Sequence, residues 1–369
     1  MQRFAFIIHP LEAKRDVARK YPIARLFPER AIEWYLANAE PQIVCKVTGL
    51  RSMTGVEAEG WLILCPMTPR QLLSFPLEKV WEKLTRCGEI AQDLGAGIVG
   101  LGAFTSVVGD GGITLSKRLR SAVTTGNSYT VATAIEGAVE AGHQMGINPA
   151  EATVAVVGAT GSIGATCAEM LARQVRAMNL VGRDTGRLDD LKRRLGSLAT
   201  AKLTVTTDIA AGLRDADIVI TVSSAAKAIV RPEHIKSGAV VCDVARPRDV
   251  SVEVAKRRKD VLVIEGGVVQ LPGDVHFPFE RKPGEFDFSF PPGTSYACMA
   301  ETMALALDDR YESFTLGKEV TVRQVEEINH ICRRHGFRLA GFRSFEKAIT
   351  QQEIERIRKN AGRPEPIGI

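Results

Sequence analysis

The sequence of 369 residues lacks the signatures of several common protein classes. Its seven cysteines form no Cys-x-x-Cys pair, and their odd number and spacing favour neither a zinc site nor a disulfide framework. No apolar run approaches the length of a membrane span, and the apolar start at residues 4–8 is too short for a secretory signal. We therefore expect reduced thiols, no metal site, no transmembrane segment and a cytoplasmic location.

Aromatic residues and blocks of basic residues are also scarce. Phe, Trp and Tyr make up 6% of the chain, and the formal net charge of +5 comes without a long Lys/Arg run. This pattern does not indicate nucleic-acid binding, although a mild basic excess is compatible with an acidic partner or phosphorylated ligands. The length and the 45% hydrophobic fraction predict a globular protein of two domains.

What the sequence does contain is a glycine-rich motif at residues 153–164. Its apolar, β-branched start predicts a buried parallel strand, and residues 165–175 show helical periodicity. Gly158 permits a tight turn, Gly161 lets a pyrophosphate approach the backbone, and Gly164 lets the helix pack on the strand. The motif predicts the first βα turn of a dinucleotide-binding fold, with a ligand-free turn as the alternative. The residues expected to bind the cofactor here are Gly158, Thr160, Gly161, Ser162, Ile163 and Gly164.

Strand and helix patterns alternate regularly after this motif. Further strands are predicted at residues 178–181, 203–206, 218–222, 240–243 and 261–265. We predict an α/β fold with a Rossmann-type doubly wound parallel sheet, forming an NADP-binding domain at residues 126–290. An N-terminal α/β substrate domain is expected at residues 1–125, and a helical segment with a tail at residues 291–369. Ligands bind beyond the carboxyl ends of such strands, so the residues expected near the cofactor there are Ser223, Ser224, Val244, Ala245, Gly266 and Gly267.

The end of the second strand indicates which cofactor binds. Arg183 stands 19 residues after Gly164, where an NAD site usually places an acidic residue, and Arg187 follows one helical turn later. A guanidinium binds a 2′-phosphate, so we expect NADPH. Asp184 argues against this interpretation, because NAD would be favoured if its carboxylate pointed at the ribose.

A second chemical feature is Cys298. Two prolines and a glycine at residues 291–293 precede an apolar helical pattern, and with Ser295 as its N-cap, Cys298 lies in the first helical turn. A helix N-terminus favours the thiolate form, which attacks thioester or aldehyde carbonyls. A small buried hydrophobic residue is the alternative interpretation. Glu301, one turn later, is either a helix-face carboxylate or an orienting group near the thiol.

Two further segments have two interpretations each. Residues 97–104 form a glycine-rich strand pattern, typical of close packing or of a ligand wall. Residues 124–128 either cap a long helix at residues 129–145 or face a cleft.

With these motifs in order, the chain resembles the long-chain fatty acyl-[acyl-carrier-protein] reductases of cyanobacterial alkane synthesis, from about residue 89 to residue 337. The matching motifs are residues 101–106, 124–127, 152–164, 183 with 187, 266–267 and 297–301. The resemblance implies that Cys298 accepts the acyl group from acyl carrier protein or coenzyme A, and that NADPH then reduces the thioester to a fatty aldehyde. It also implies an aldehyde-consuming enzyme as a partner.

The sequence departs from this family in three places. Glu265 stands where the family tends to have Lys, residues 270–290 differ, and a tail at residues 338–369 is additional, with a charged helical pattern at residues 345–359. Two other hypotheses therefore stay open. One is an NADP oxidoreductase of the shikimate-dehydrogenase kind without covalent catalysis, and the other is a non-enzymatic NADPH-binding sensor.

Overall fold

A computed structural model describes residues 1–20, 22–225, 227–280, 282–286 and 290–367, which form two compact units. The first unit combines Met1–Gly126, Gln270–Glu319 and Glu327–Arg338. The second combines Asn127–Val269, Val320–Glu326 and Leu339–Ile369. The domain boundaries after residues 125 and 290 stay a prediction.

The helices and strands follow one another closely along the chain. Up to residue 126 they are β1 (Gln2–Ile8), α1 (Ala13–Lys20), α2 (Glu29–Asn38), β2 (Gln42–Arg51), β3 (Glu57–Leu64), α3 (Pro69–Ser74), α4 (Leu77–Asp93), β4 (Ile98–Leu101), α5 (Ile113–Arg118) and β5 (Ala122–Thr124). Then come α6 (Asn127–Gln144), β6 (Thr153–Val157), α7 (Ser162–Leu171), β7 (Ala177–Val181), α8 (Thr185–Gly196), β8 (Lys202–Thr206), α9 (Ile209–Leu213), β9 (Ile218–Thr221), β10 (Val240–Asp243), α10 (Val252–Arg257) and β11 (Leu262–Glu265). The last elements are β12 (Val268–Gln270), β13 (Gly273–His276), β14 (Thr294–Tyr296), α11 (Ala297–Leu307), α12 (Val322–His335), β15 (Arg338–Leu339), β16 (Arg343–Ser344), β17 (Lys347–Ala348) and α13 (Gln351–Asn360). Short 3₁₀ helices lie at Pro22–Leu26, Ala103–Ser106, Pro149–Glu151 and Pro232–His234.

The first unit is built on a mixed six-stranded sheet in the order β13-β2-β3-β1-β4-β5. Strands β3, β1, β4 and β5 are parallel. At one edge β2 runs antiparallel to β3, and β13 runs antiparallel to β2. Helix α4 covers one face with its buried apolar residues Val80, Leu84 and Cys87, spaced at helical intervals. Helix α11 packs against β1 and β4. The central strands are therefore buried by helices, as parallel strands require.

The second unit contains a six-stranded parallel sheet in the order β11-β10-β9-β6-β7-β8. If β6 to β11 are numbered 1 to 6 and the sheet is followed from β8 to β11, the order is 3-2-1-4-5-6, that of a Rossmann-type fold. Residues of β6, β9 and β10 are almost wholly buried and β-branched, as expected for strands covered on both faces. The predicted α/β class with a doubly wound parallel sheet is confirmed.

Three local predictions from the sequence are wrong in their boundaries. Helix α6 begins at Asn127, so Asn127 and Ser128 lie inside its first turn and do not cap it. Strand β4 ends at Leu101, because Thr105 closes a turn by hydrogen bonds with the backbone of Gly102. The C-terminal helix begins only at Gln351, after a β16–β17 hairpin.

In the part of the chain that the structure describes, no helix combines the length and hydropathy needed to cross a membrane. Within the same residues, no group of His, Cys, Asp and Glu side chains is arranged to hold a metal ion.

Candidate active site

The glycine turn between β6 and α7 is tight in the way the motif predicts. Gly158 has a φ of +84°, a conformation that residues with a Cβ rarely adopt. A Cβ at Gly164 would overlap the carbonyl oxygen of Gly158, and one at Gly161 would lie 3.3 Å from the same atom. The turn therefore accepts glycine alone at positions 158 and 164.

The first turn of α7 presents backbone N–H groups that no side chain caps. Gly161 is its N-cap and carries no capping oxygen. Thr160, Ser162 and Ile163 are partly exposed around it, and the Ser162 hydroxyl accepts a hydrogen bond from Asn127 Nδ2 at 3.4 Å. Uncapped N–H groups at the start of a ten-residue helix form a cradle that fits the pyrophosphate of a dinucleotide.

The two predicted arginines lie at the carboxyl end of β7 and on α8. Both are exposed, and Arg183 has no hydrogen-bond or ion-pair partner among the described residues. Arg187 Nη2 donates to the carbonyl oxygen of Thr160 at 2.9 Å, which joins it to the glycine turn. Asp184 caps α8, because its carboxylate accepts a hydrogen bond from the Arg187 backbone N–H at 3.1 Å. The Asp184 carboxylate is therefore bonded to the helix backbone. A carboxylate bonded to the ribose hydroxyl would instead favour NAD.

Ser223 follows β9 and lies directly beside the glycine turn. A Cβ at Gly158 would be 3.0 Å from the Ser223 backbone, so this residue forms a wall of the turn. Its hydroxyl donates to the buried carboxylate of Asp249 at 2.6 Å, and its N–H donates to the same carboxylate at 2.8 Å. Thr221 donates its hydroxyl to Asp249 as well. Asp249 thus fixes the loop after β9, a role that sequence reasoning missed because nothing in its local pattern connects it with Ser223.

Gly266 follows β11, and a Cβ there would lie 2.8 Å from Cys242 Sγ on the neighbouring strand. Its position is therefore set by packing between β10 and β11.

Two carboxylates lie at the ends of these strands. Burial raises the pKa of Asp243 to about 6, and its carboxylate accepts hydrogen bonds from the backbone N–H groups of Ala245 and Val250. Glu265 accepts a hydrogen bond from Arg248 at 2.8 Å and from the Glu346 N–H at 3.0 Å, so it anchors the segment after β15.

In the first unit, Cys298 is the second residue of α11. The N-cap is Tyr296 and not Ser295 as predicted, because β14 extends to Tyr296 and α11 begins at Ala297. Cys298 is partly exposed, whereas the other six cysteines are buried. Burial raises the pKa of Cys45 and of Cys167 to about 12, which makes these thiols unreactive at neutral pH.

The backbone around Cys298 is packed so closely that it requires glycine. A Cβ at Gly126 would lie 2.5 Å from the carbonyl oxygen of Cys298, and Gly126 has a φ of +73°. A Cβ at Gly102 would lie 3.8 Å from Cys298 Sγ. A Cβ at Gly100 would overlap Thr302 Oγ1, one turn later on α11. Among the glycines of the predicted strand at residues 97–104, Gly100 therefore serves close approach to the helix that carries the thiol.

Glu301 lies on the same helix and is fully buried. Its Oε1 accepts hydrogen bonds from Thr124 Oγ1 at 2.5 Å and Thr315 Oγ1 at 2.9 Å. The backbone N–H of Thr315 donates to Thr124 Oγ1, and that of Thr125 donates to the carbonyl oxygen of Thr315. Glu301 therefore ties the segment before Gly126 to α11.

These features together define two chemical elements. The second unit presents a glycine turn with uncapped N–H groups and an unpaired guanidinium, which suits a dinucleotide. The first unit presents the partly exposed thiol of Cys298 in the first turn of a helix.

Comparison with known proteins relates these elements to families. The family model described as shikimate / quinate 5-dehydrogenase matches residues 140–265, which contain all six strands of the parallel sheet. A glutamyl-tRNA reductase structure from Methanopyrus kandleri aligns with 77% of this chain and 55% of that chain, at 18% identity and a TM-score of 0.31.

Two relatives match nearly the whole chain. "Aminotransferase PigE" of Serratia sp. is 27% identical over 97% of this chain, and the chain spans 42% of the length of that protein. The long-chain acyl-[acyl-carrier-protein] reductase of Synechococcus elongatus is 28% identical over 89% of this chain and 95% of its own length. The resemblance to long-chain acyl-[acyl-carrier-protein] reductases that the motifs indicate is therefore confirmed as a similarity that extends over most of the chain.

Proposed function

We propose that this protein is a cytoplasmic NADPH-dependent reductase that converts a long-chain fatty acyl thioester into the fatty aldehyde. The observation that carries the proposal is the exposure of Cys298 at the start of α11, in contrast to six buried cysteines. The similarity to a long-chain acyl-[acyl-carrier-protein] reductase over 89% of the chain supports the same chemistry.

Cys298 acts as the nucleophile in two steps. Its thiolate attacks the acyl carbonyl carbon, a new C–S bond forms, and the carrier leaves as a thiolate that takes up a proton. NADPH held at the glycine turn and by Arg183 would supply the hydride that reduces the carbonyl carbon of this thioester. The C–S bond to Cys298 then breaks, which releases the aldehyde and regenerates the thiolate. The N–H groups at the start of α11 favour negative charge at the sulfur in both steps.

The cofactor in this proposal is NADPH and not NADH. Arg183 is an exposed guanidinium without a partner among the described residues, and it stands where the adenosine ribose is bound in this fold. The Asp184 carboxylate is engaged by the α8 backbone. An arginine binds a 2′-phosphate by charge-assisted hydrogen bonds, which a ribose hydroxyl does not offer.

The acyl donor in this proposal is acyl carrier protein or coenzyme A. A formal net charge of +5 suits an acidic carrier or a phosphorylated carrier arm. An enzyme that consumes the aldehyde is the expected downstream partner, since free aldehydes react with protein amines.

Intact-mass measurement tests the covalent step. The protein is mixed with a long-chain acyl-coenzyme A without cofactor, and we expect the mass of one acyl group to be added. Addition of NADPH is expected to remove this mass and release aldehyde. Cys298→Ala is expected to abolish both the added mass and the aldehyde. The control, Cys45→Ala, changes a buried thiol of the same unit and is expected to retain both.

The match to the shikimate / quinate 5-dehydrogenase model favours a second candidate, an oxidoreductase without a covalent intermediate. This match ends at residue 265 and does not include Cys298. The second candidate predicts turnover of a small alcohol that survives alkylation of Cys298. Aldehyde release from thioesters at an unchanged rate in Cys298→Ala would contradict the covalent proposal.

A further inference from the structure

Large apolar side chains lie on the outside of the helical segment formed by α1, the 3₁₀ helix Pro22–Leu26 and α2. Leu26 is 82% exposed, Trp34 is 71% exposed and Ile23 is 64% exposed. Tyr35 is 58% exposed and Phe27 is 50% exposed. We call these five residues the outer apolar face. Exposed apolar side chains that occur singly need no explanation, but five within thirteen residues indicate a binding surface.

The core beneath this face is small. It consists of Ala13, Ala18, Ala24, Ile32 and Leu36. Most of its members are alanines, so the largest apolar side chains of the segment are outside and not inside.

The helical geometry explains why the large side chains cannot turn inward. Ile32 and Leu36 are one turn apart on α2 and face the core, which places Trp34 and Tyr35 on the opposite side. Ile23 and Leu26 are three residues apart in a 3₁₀ helix and so share one exposed side.

Positive charge accompanies the outer apolar face. Arg25 and Arg30 are exposed on either side of Phe27, and neither has an ion-pair partner among the described residues. Lys14 on α1 is likewise exposed and unpaired within those residues. The Glu33 carboxylate is buried and bound by Arg70, so it does not neutralise them. The exposed Glu29 on α2 offsets one of the three positive charges, and the segment keeps a positive excess.

We infer that the outer apolar face binds the surface of a lipid bilayer that contains anionic lipids. Aliphatic and aromatic side chains on short helices, flanked by arginines, match the composition of helices that lie in the membrane interface. Trp and Tyr favour this interface because their rings are apolar and their N–H or O–H groups reach water. The arginines bind lipid phosphates while their methylene stems lie along the apolar layer. A fluid acyl layer also accommodates protruding side chains such as Leu26 without a shaped pocket.

Vesicle flotation and tryptophan fluorescence test this inference with the full chain. Vesicles of phosphatidylcholine with phosphatidylglycerol are compared with vesicles of phosphatidylcholine alone. We expect flotation with the anionic vesicles, a blue shift of the emission, weaker binding at high salt and little binding to the neutral vesicles. The shift reports on the outer apolar face, because Trp34 is exposed whereas Trp61 is buried and Trp81 is half-buried.

Three variants separate the contributions. Leu26→Ser and Trp34→Ser are each expected to weaken binding by about tenfold, since each removes a large apolar group from the lipid. Arg25→Glu is expected to weaken binding to anionic vesicles only. The matched control is Leu73→Ser, which removes an exposed leucine of the same unit on α3 and leaves binding unchanged.

Two outcomes would overturn the inference. One is absence of flotation with anionic vesicles, and the other is equal binding by all variants. If the chain instead forms a dimer that Leu26→Ser and Trp34→Ser dissociate, the face is a protein interface and not a lipid one. The inference does not depend on the proposed reaction, so loss of acyl transfer in Cys298→Ala leaves it unaffected.

Discussion

At the scale of single residues, His9 makes the stability of the fold depend on pH. Its Nδ1 donates to the Pro10 carbonyl oxygen at 3.1 Å, and its Nε2 accepts from the Phe104 N–H at 3.1 Å. Burial lowers the pKa of His9 from 6.5 to about 4. A proton on Nε2 would face the Phe104 N–H, so the folded protein resists protonation that the unfolded chain accepts.

We therefore predict that the free energy of unfolding falls as the pH is lowered from about 6.5 to 4, by about 3 kcal/mol from His9 alone. The sign follows because the unfolded chain binds the proton first. Denaturant titrations at several pH values measure this slope. His9→Gln keeps an acceptor for Phe104 without a titrating ring and is expected to lose the slope, whereas the exposed His330→Gln is expected to retain it.

Arg183 determines the second residue-scale prediction. Arg183→Ala is expected to weaken NADPH binding by about 10- to 100-fold, the value of a charge-assisted hydrogen bond, and to leave NADH binding unchanged. Cofactor titrations measure both constants. Arg193→Ala, an exposed arginine of α8 that pairs with Asp190, is the control and is expected to alter neither. Tighter binding of NADH than of NADPH by the unaltered protein would refute the cofactor assignment.

At the scale of structural elements, the close contact between Gly126 and α11 is the feature most sensitive to substitution. Gly126→Ala places a Cβ against Cys298, and we expect it to displace the N-terminal turn of α11 and reduce acylation by at least about tenfold. Single-turnover acylation measures this effect.

Gly55→Ala is a matched control for this experiment. Gly55 also has a positive φ, +86°, but a Cβ there meets nothing within 4 Å. The strain of the left-handed conformation is therefore common to both variants, and only Gly126→Ala disturbs Cys298. Equal acylation by the two variants would show that the contact does not position the thiol.

The elements of the parallel sheet could be predicted from the sequence because their signals are local. The glycine spacing at residues 158–164 and the strand–helix alternation place β6 to β11 within one or two residues of their observed bounds. The Arg183 position follows from the same spacing.

Long-range pairings are the part that the sequence did not reveal. β13 pairs with β2, although more than two hundred residues separate them in the chain, and no local pattern encodes that partner. The hydrogen bonds of Glu301 with Thr124 and Thr315 are also long-range, so the pattern left the role of Glu301 open. The N-cap of α11 is Tyr296 and not Ser295, because β14 continues to Tyr296 and the helix begins only after it.

At the scale of the whole molecule, the tail is part of the second unit. Arg363 Nη2 donates to Asp217 Oδ1 at 2.8 Å, and its Nε donates to the Gly238 carbonyl oxygen. Burial opposes ionisation of Asp217, but hydrogen bonds from Arg363 and Lys236 outweigh it and lower the pKa of this carboxyl. The contribution of ionised Asp217 to the free energy of unfolding is therefore fully present above the ordinary pKa of an aspartate. It is lost as the pH falls through the lowered pKa of Asp217.

We predict that Arg363→Ala lowers the free energy of unfolding by about 1–3 kcal/mol at neutral pH, because it removes a charged hydrogen bond to a largely buried carboxylate. Thermal and denaturant unfolding measure the change, and the difference should shrink in acid. Lys359→Ala breaks an exposed pair with Glu355 and is expected to cost under about 0.5 kcal/mol. Equal stabilities of the two variants would show that the tail is not held by Asp217.

The way the chain alternates between the two units has a consequence for its synthesis. The glycine turn leaves the ribosome early, but its unit also needs Leu339–Ile369, and the unit of Cys298 needs Gln270–Glu319 and Glu327–Arg338. A nascent chain must therefore carry the second unit without its last segment until translation of this sequence has almost finished, a state in which exposed apolar surface favours aggregation. Expression of residues 1–290 alone would produce neither unit in full. Co-translational chaperones have the longest opportunity to act while these last segments are being synthesised.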